Sequence, residues 1–228
     1  MRILLAASIL SADLGSLAEQ VRVAERGGAD RIHVDVMDGR FVPNFTFGPP
    51  MTAAVRRATE LPVDVHLMME APERYIGEFF DAGADRITVH QETCPHLHRT
   101  LQRIRELGIA PGVAINPATP LSTLAEILPF TASVLVMTVN PGFGGQAYIG
   151  TMSDKVIRLR RQLIERNLQG QVELQVDGGI NADTAAEVVA AGATVLIAGS
   201  AVFGAAGGVA ENLQRLRAAA HARSGAAG

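Results

Sequence analysis

The chain has 228 residues, of which 48% are hydrophobic and 19% charged, with a formal net charge of −3. That composition supplies a sizeable core and excludes a disordered chain, and without a long basic run there is no electrostatic footprint for nucleic acid or an anionic membrane. No apolar stretch reaches the roughly 18–20 residues that span a bilayer, and the only cysteine, Cys94, excludes an intrachain disulfide and an all-cysteine zinc site.

In chain order, the apolar opening "ILLAASIL" (3–10) is expected to be a first strand. It leads into a capped helix pattern over 14–27 and not into a cleavage site, so it does not read as a signal peptide, and the expected compartment is the cytosol. Strands are then expected at 31–37, 62–68, 86–90, 111–115, 133–139, 172–177 and 194–199. Helices are expected between and after them at 49–60, 72–82, 97–108, 121–128, 152–168, 182–191 and 208–222. The helix ends "GGAD" (27–30), "AGAD" (82–85) and "AGAT" (191–194) carry the glycine that closes a helix before a strand. Strand–helix alternation argues for a parallel sheet, and eight units argue for a closed (β/α)8 TIM barrel, one domain over 1–228 with a frayed tail at 222–228. The open doubly wound sheet is the alternative; it would show fewer units and a GxGxxG turn after the first strand.

Barrel enzymes place their chemistry at the C-terminal ends of the strands. Strand parity puts His33, Asp35 and Met37 on one face of the second strand and His66 and Met68 on one face of the third. Asp177 ends the seventh strand and Ser8 lies near the end of the first. Any one of these is ordinary as a hydrogen-bonded loop or core residue. Four ionisable groups converging at one mouth are not, because burying them without a purpose costs stability. Two imidazoles with two carboxylates suit a divalent transition metal with open positions. His90 also ends a strand but without comparable company; His96, His98 and His221 read as solvated or capping, and Asp38 as a turn residue. Met37, Met68 and Met137 read as core filling or as a thioether surface around a reaction centre.

Glycine-rich turns follow three successive strands: Asn140 to Gln146, with Gly142, Phe143, Gly144 and Gly145; Gly178 and Gly179; and Gly199 with Ser200. Glycine lets backbone N–H groups approach a ligand closely. The loops after the last strands, with a short helix expected from Ser200, are where such barrels hold phosphate.

The segments "SILSAD" (8–13), "HVDVMDGRFVPN" (33–44), "DVHLM" (64–68), "NPATP" (116–120), "MTVNPGFGGQ" (137–146), "VDGGI" (176–180) and "AGSAVF" (198–203) resemble the ribulose-phosphate 3-epimerase family, in order from first strand to last. The resemblance implies interconversion of D-ribulose 5-phosphate and D-xylulose 5-phosphate in pentose phosphate metabolism. It implies one divalent cation (zinc, iron(II), manganese or cobalt) on His33, Asp35, His66 and Asp177. It further implies proton transfer by Asp35 and Asp177 through an enediolate. Ser8 and His66 match the family's substrate contacts, the glycines and Ser200 its phosphate loops, and Met37, Met68 and Met137 its methionine cluster. Ala7 stands where proline is usual, Met69 where a β-branched residue is common, and "QAY" (146–148) where "QKF" is usual. Two alternatives stand beside this reading: a 3-epimerase of another ketose phosphate such as a hexulose 6-phosphate, and a non-catalytic sugar-phosphate-binding barrel. Lysine-dependent carbonyl chemistry needs a lysine in the mouth; the sole lysine, Lys155, falls in a helical stretch outside any strand. The expected partners are a small ketose phosphate and further copies of the chain in a homo-oligomer.

Overall fold

The computed structural model describes residues 2–222, so the tail expected to fray lies, apart from Ala222, outside the described residues. Eight parallel strands close into a barrel in sequence order, β8 pairing back onto β1. They are β1 (Leu4–Ser8), β2 (Arg31–Met37), β3 (Val63–Met68), β4 (Arg86–His90), β5 (Ala110–Ile115), β6 (Ser133–Met137), β7 (Glu173–Asp177) and β8 (Val195–Ala198). Around them run α1 (Leu17–Arg26), α2 (Pro49–Arg56), α3 (Ile76–Asp81), α4 (Leu97–Glu106), α5 (Met152–Glu165), α6 (Ala182–Ala191) and α7 (Val209–His221).

One expected helix is missing. The 121–128 stretch folds as two short 3-10 turns, Leu121–Leu124 and Leu128–Phe130. Pro129 is the physical reason. It disfavours α geometry at Leu128 and removes a donor, so the chain closes only a short 3-10 turn there. At the other end of the scale, α6 is fully specified by local chemistry. Asn181 caps it through the N–H groups of Asp183 and Thr184, and Gly192 ends it at a φ of +114°, where a side chain is strained.

Strand parity splits the protein into two environments. Outward residues, such as Ile32, Val34 and Val36 of β2 and Val63, Val65 and Leu67 of β3, are fully or almost fully buried against the helices and form the main core. Inward residues divide by sector. Ala6, Ala114, Leu135, Met137, Val195 and Ile197 give an apolar wall from β5, β6, β8 and β1. The opposite wall carries Arg31, His33, Asp35, Asp64, His66, Thr88 and His90, all buried. Its floor is tied by Glu173, which accepts from Arg31 in a two-pronged contact at 2.8 and 2.5 Å and from Arg86 at 2.8 Å. These three charges thus satisfy one another, as desolvation demands. Ala7, one departure from the family pattern, packs outward in the main core and removes no functional group.

Candidate active site

The register sets the site. β1 pairs Ser8 with His33, β2 pairs His33 with Asp64 and Asp35 with His66, and β6 pairs Met137 with Asp177. The result is a compact group in which one ligand atom from each of His33, Asp35, His66 and Asp177 lies within 4.8 Å of the others. Asp35 Oδ1 is 3.1 Å from His66 Nδ1 and 3.3 Å from His33 Nε2, and Asp35 Oδ2 accepts the Ser8 hydroxyl at 2.6 Å. The strand end is braced by Thr46, whose hydroxyl donates to the Asp35 carbonyl at 2.6 Å and accepts from the Met37 N–H at 3.0 Å. Asp38 is a turn residue, as its position implied: its carboxylate accepts the N–H groups of Arg40, Phe41 and Glu70.

Both nitrogens of His33 are buried without a hydrogen-bond partner. Orphaned polar atoms of that kind are rare and costly. A divalent cation taking the lone pair of Nε2, beside a second imidazole and two carboxylates, fits this donor set.

The electrostatics separate the two carboxylates. Burial opposes the ionisation of Asp35, but the neighbouring His33 and His66 outweigh it and hold Asp35 well below the usual carboxylate range. Burial, and then the charge on Asp35, push Asp177 up to about 7. Burial lowers His66 to about 4. It also opposes protonation of His33, but there Asp35 and Asp64 outweigh it and raise the group. Two carboxyls held in different protonation states are what an acid–base pair needs.

Two further groups belong to the cluster. Sequence reading left His90 without company. The structure corrects this: its Nε2 lies 2.9 Å from His66 Nε2, the two rings stack, and its Nδ1 lies 3.1 Å from Glu92 Oε2. Asp64, fully buried, sits with Oδ2 3.5 Å from His33 Nδ1 and is lowered to about 2, burial being outweighed by His33. The parity that selected His66 also selects Asp64, two residues earlier on the same strand, and the strand-end position of His90 was itself the signal.

A cleft opens above this cluster. Its lining includes Ser8, Asp35, Met37, Met68, Met137, Gly142, Phe143, Gly144, Gly145, Asp177, Gly178, Gly179, Gly199 and Ser200. His33 and His66 lie beneath it, wholly buried. Ser11 and Gln146, which sequence reading did not single out, also line it. Among the described residues no lysine or arginine does, so an anion there meets backbone N–H groups and hydroxyls. Gly179 has a φ of +67°, and a Cβ on it would fall 2.4 Å from the Tyr148 backbone nitrogen, so only glycine fits the turn. The Thr138 hydroxyl fixes that turn through the carbonyls of Asp177 at 2.8 Å and Gly178 at 2.6 Å. Asn44 donates to the Gly142 carbonyl at 2.8 Å and ties the loop after β2 to the loop after β6. The helix expected from Ser200 is a single π-helical turn, Ser200–Gly204. Lys155 lies on α5, away from the mouth, with its ammonium on the carbonyls of Asn116, Pro117 and Thr119. Among the described residues no helix is long and apolar enough to cross a membrane.

Residues 4–203 match the model of the ribulose-phosphate 3 epimerase family. The chain is 51% identical over 199 residues to ribulose-phosphate 3-epimerase of Bacillus subtilis, covering 87% of this chain and 91% of that one. It is 50% identical over 205 residues to the protein of the same name from Synechocystis, covering 89% and 88%. Among solved structures, 3-hexulose-6-phosphate synthase from Salmonella typhimurium superposes with a TM-score of 0.70 at 20% identity, covering 96% of this chain and 98% of that one, a likeness of fold alone.

Proposed function

Because the chain belongs to the ribulose-phosphate 3-epimerase family, we propose that it interconverts D-ribulose 5-phosphate and D-xylulose 5-phosphate using one divalent cation and two aspartates. It is an isomerase of carbohydrate metabolism that epimerises a pentose phosphate. The observation that carries the finer reading is the cluster joining His33, Asp35, His66 and Asp177 at the base of a cleft that ends in glycine loops.

Epimerisation at C3 removes a proton beside the C2 ketone and returns one to the opposite face. His33, Asp35, His66 and Asp177 would hold the cation, with zinc, iron(II), manganese and cobalt all suited to this donor set. When bound, the cation supplies Lewis-acid stabilisation for the negative charge that develops on the substrate oxygens. Asp35 and Asp177, reaching the mouth from β2 and β7, flank the space where C3 would sit. One takes the proton from one epimer while the other gives a proton from the far side, and the reverse reaction exchanges their roles. The Ser8 hydroxyl, on Asp35 Oδ2, orients that carboxylate. Thr138, on the Asp177 carbonyl, fixes the other strand end.

The phosphate is read as bound by the N–H groups of the turns at Gly144, Gly145, Gly178, Gly179 and Gly199, with the Ser11 and Ser200 hydroxyls nearby. Held there, it supplies remote binding energy that places C3 between the carboxyls. Met37, Met68 and Met137 line the same cleft as an apolar surface that limits water at the enediolate. We also read the enzyme as a cytoplasmic homo-oligomer. The lone buried Cys94 supports the compartment, and Phe45, 78% exposed, supports self-association.

Dialysis against a chelator followed by assay on D-ribulose 5-phosphate tests this reading. Activity should vanish and return with a divalent cation. Full turnover in protein shown by elemental analysis to be metal-free would overturn the metal assignment. No turnover of either pentulose phosphate by the metal-loaded protein would overturn the substrate assignment.

A further inference from the structure

We propose that His90 and Glu92 are positioning residues for the metal site, holding His66 in the one tautomer that aims a lone pair at the cation. The inference rests on the metal reading above, and it concerns only this chain's own hydrogen bonds.

A neutral imidazole carries one N–H and one lone pair. His66 Nδ1 faces Asp35 at 3.1 Å, on the cluster side, while His66 Nε2 faces His90 Nε2 at 2.9 Å. Two ring nitrogens that close need one proton between them. Either His66 donates and keeps its Nδ1 lone pair for the site, or His90 donates and leaves His66 with an N–H aimed at the site.

Glu92 decides between them. Its Oε2 lies 3.1 Å from His90 Nδ1, and a carboxylate can only accept, so His90 carries its proton on Nδ1. His90 Nε2 is then the acceptor and His66 Nε2 the donor, which leaves His66 Nδ1 its lone pair once a cation separates it from the Asp35 carboxylate. His66 and His90 are both fully buried, so the order rests on protein groups. Glu92 is itself held in place: Oε1 accepts the Asn116 N–H at 2.8 Å and the Thr119 hydroxyl. The carbonyls of that same loop, at Asn116, Pro117 and Thr119, are gripped by Lys155 Nζ at 3.1, 2.6 and 2.9 Å. The sole lysine thus anchors the far end of a chain of contacts that finishes at a metal ligand. Asp64 lies behind His33 at 3.5 Å without hydrogen-bonding it, so among the described residues His66 alone has this ordered chain. Partners of this kind behind a ligating histidine set its tautomer and are worth about 10–100-fold in metal affinity.

Glu92→Gln tests the proposal because its outcome is fixed by geometry. The Asn116 N–H can only donate, so the glutamine oxygen must take the Oε1 place, and the amide NH2 then faces His90 Nδ1. That makes His90 Nδ1 an acceptor, moves its proton to Nε2, and forces His66 to present Nδ1–H to the site. Mn2+ and Zn2+ titrations of the full chain should show binding weakened about 10–100-fold in Glu92→Gln, with the unfolding midpoint of the metal-free protein little changed. In 15N-histidine spectra of the Zn2+-loaded protein, the His90 proton should move from Nδ1 in the parent to Nε2 in Glu92→Gln. An affinity within about twofold of the parent overturns the proposal, by the same measure. If Glu92→Gln does not fold, the spectrum of the Zn2+-loaded parent decides: Nε2–H on His66 and Nδ1–H on His90 are expected, and Nε2–H on His90 overturns it. A parent protein that binds neither cation fails the metal reading and not this proton order. Equal binding by parent and variant fails this inference alone.

Discussion

Lys155→Met isolates one ammonium group in the loop that supports Glu92. Methionine keeps the length and apolar stem of the side chain, which is only 4% exposed, and deletes three donors to the carbonyls of Asn116, Pro117 and Thr119. Hydrogen bonds from a charged donor contribute about 1.5–3 kcal/mol each, but three on one group are not additive. Two terms reduce the sum: burial already disfavours this ammonium, holding its pKa below the usual lysine value, and the loop carbonyls regain water. The expected loss is therefore about 2–4 kcal/mol. For a chain of 228 residues, ~2–4 °C per kcal/mol gives a fall in Tm of about 4–16 °C. Thermal and urea unfolding of the two proteins measure it. Arg158→Met, an exposed change on the same helix, is the control and should stay within about 0.5 kcal/mol. A Lys155→Met loss no larger than the control's would refute the view that Lys155 staples the loop.

Asp35→Asn and Asp177→Asn should each lower kcat by about 10³-fold or more while the circular dichroism spectrum stays that of the parent, since each removes a proton-transfer group; substantial turnover by either would remove the two-carboxylate scheme. Asp30 tests the scaffold instead. Burial opposes its ionisation, but the Arg217 hydrogen bond, the Leu5 N–H at 2.8 Å and Arg2 outweigh it and hold it below its ordinary value of 3.8. A depressed folded value means stability that is present above pH 3.8 and lost as pH falls through the folded value. Asp30→Asn should therefore lower Tm at pH 7, and the gap from the parent should narrow on acidification; a gap independent of pH would contradict it.

The barrel was legible because eight short apolar runs recur between helical segments, and α1, α3 and α6 end at the glycines of "GGAD", "AGAD" and "AGAT". β2 and β4 appear with the bounds read from the pattern, 31–37 and 86–90. The loss of the helix expected at 121–128 was not legible because "LSTLAEIL" has helical period, while the proline that stops it lies one residue past the end of that pattern. The ligand cluster was legible from parity within single strands. Its support was not, for two reasons. His90 acquires meaning only from the pairing of β3 with β4. Glu92 acquires it only from the loop after β5, 24 residues further on. Contacts of that kind depend on barrel closure and leave no local period in the chain.

The central claim is that Asp35 and Asp177 serve opposite faces of C3. Metal-loaded enzyme converting D-ribulose 5-phosphate in D2O, stopped early and analysed by NMR, tests it most directly. The account predicts D-xylulose 5-phosphate carrying deuterium at C3, because the incoming proton comes from a group other than the one that took the first. Product that retains its original C3 hydrogen would contradict it.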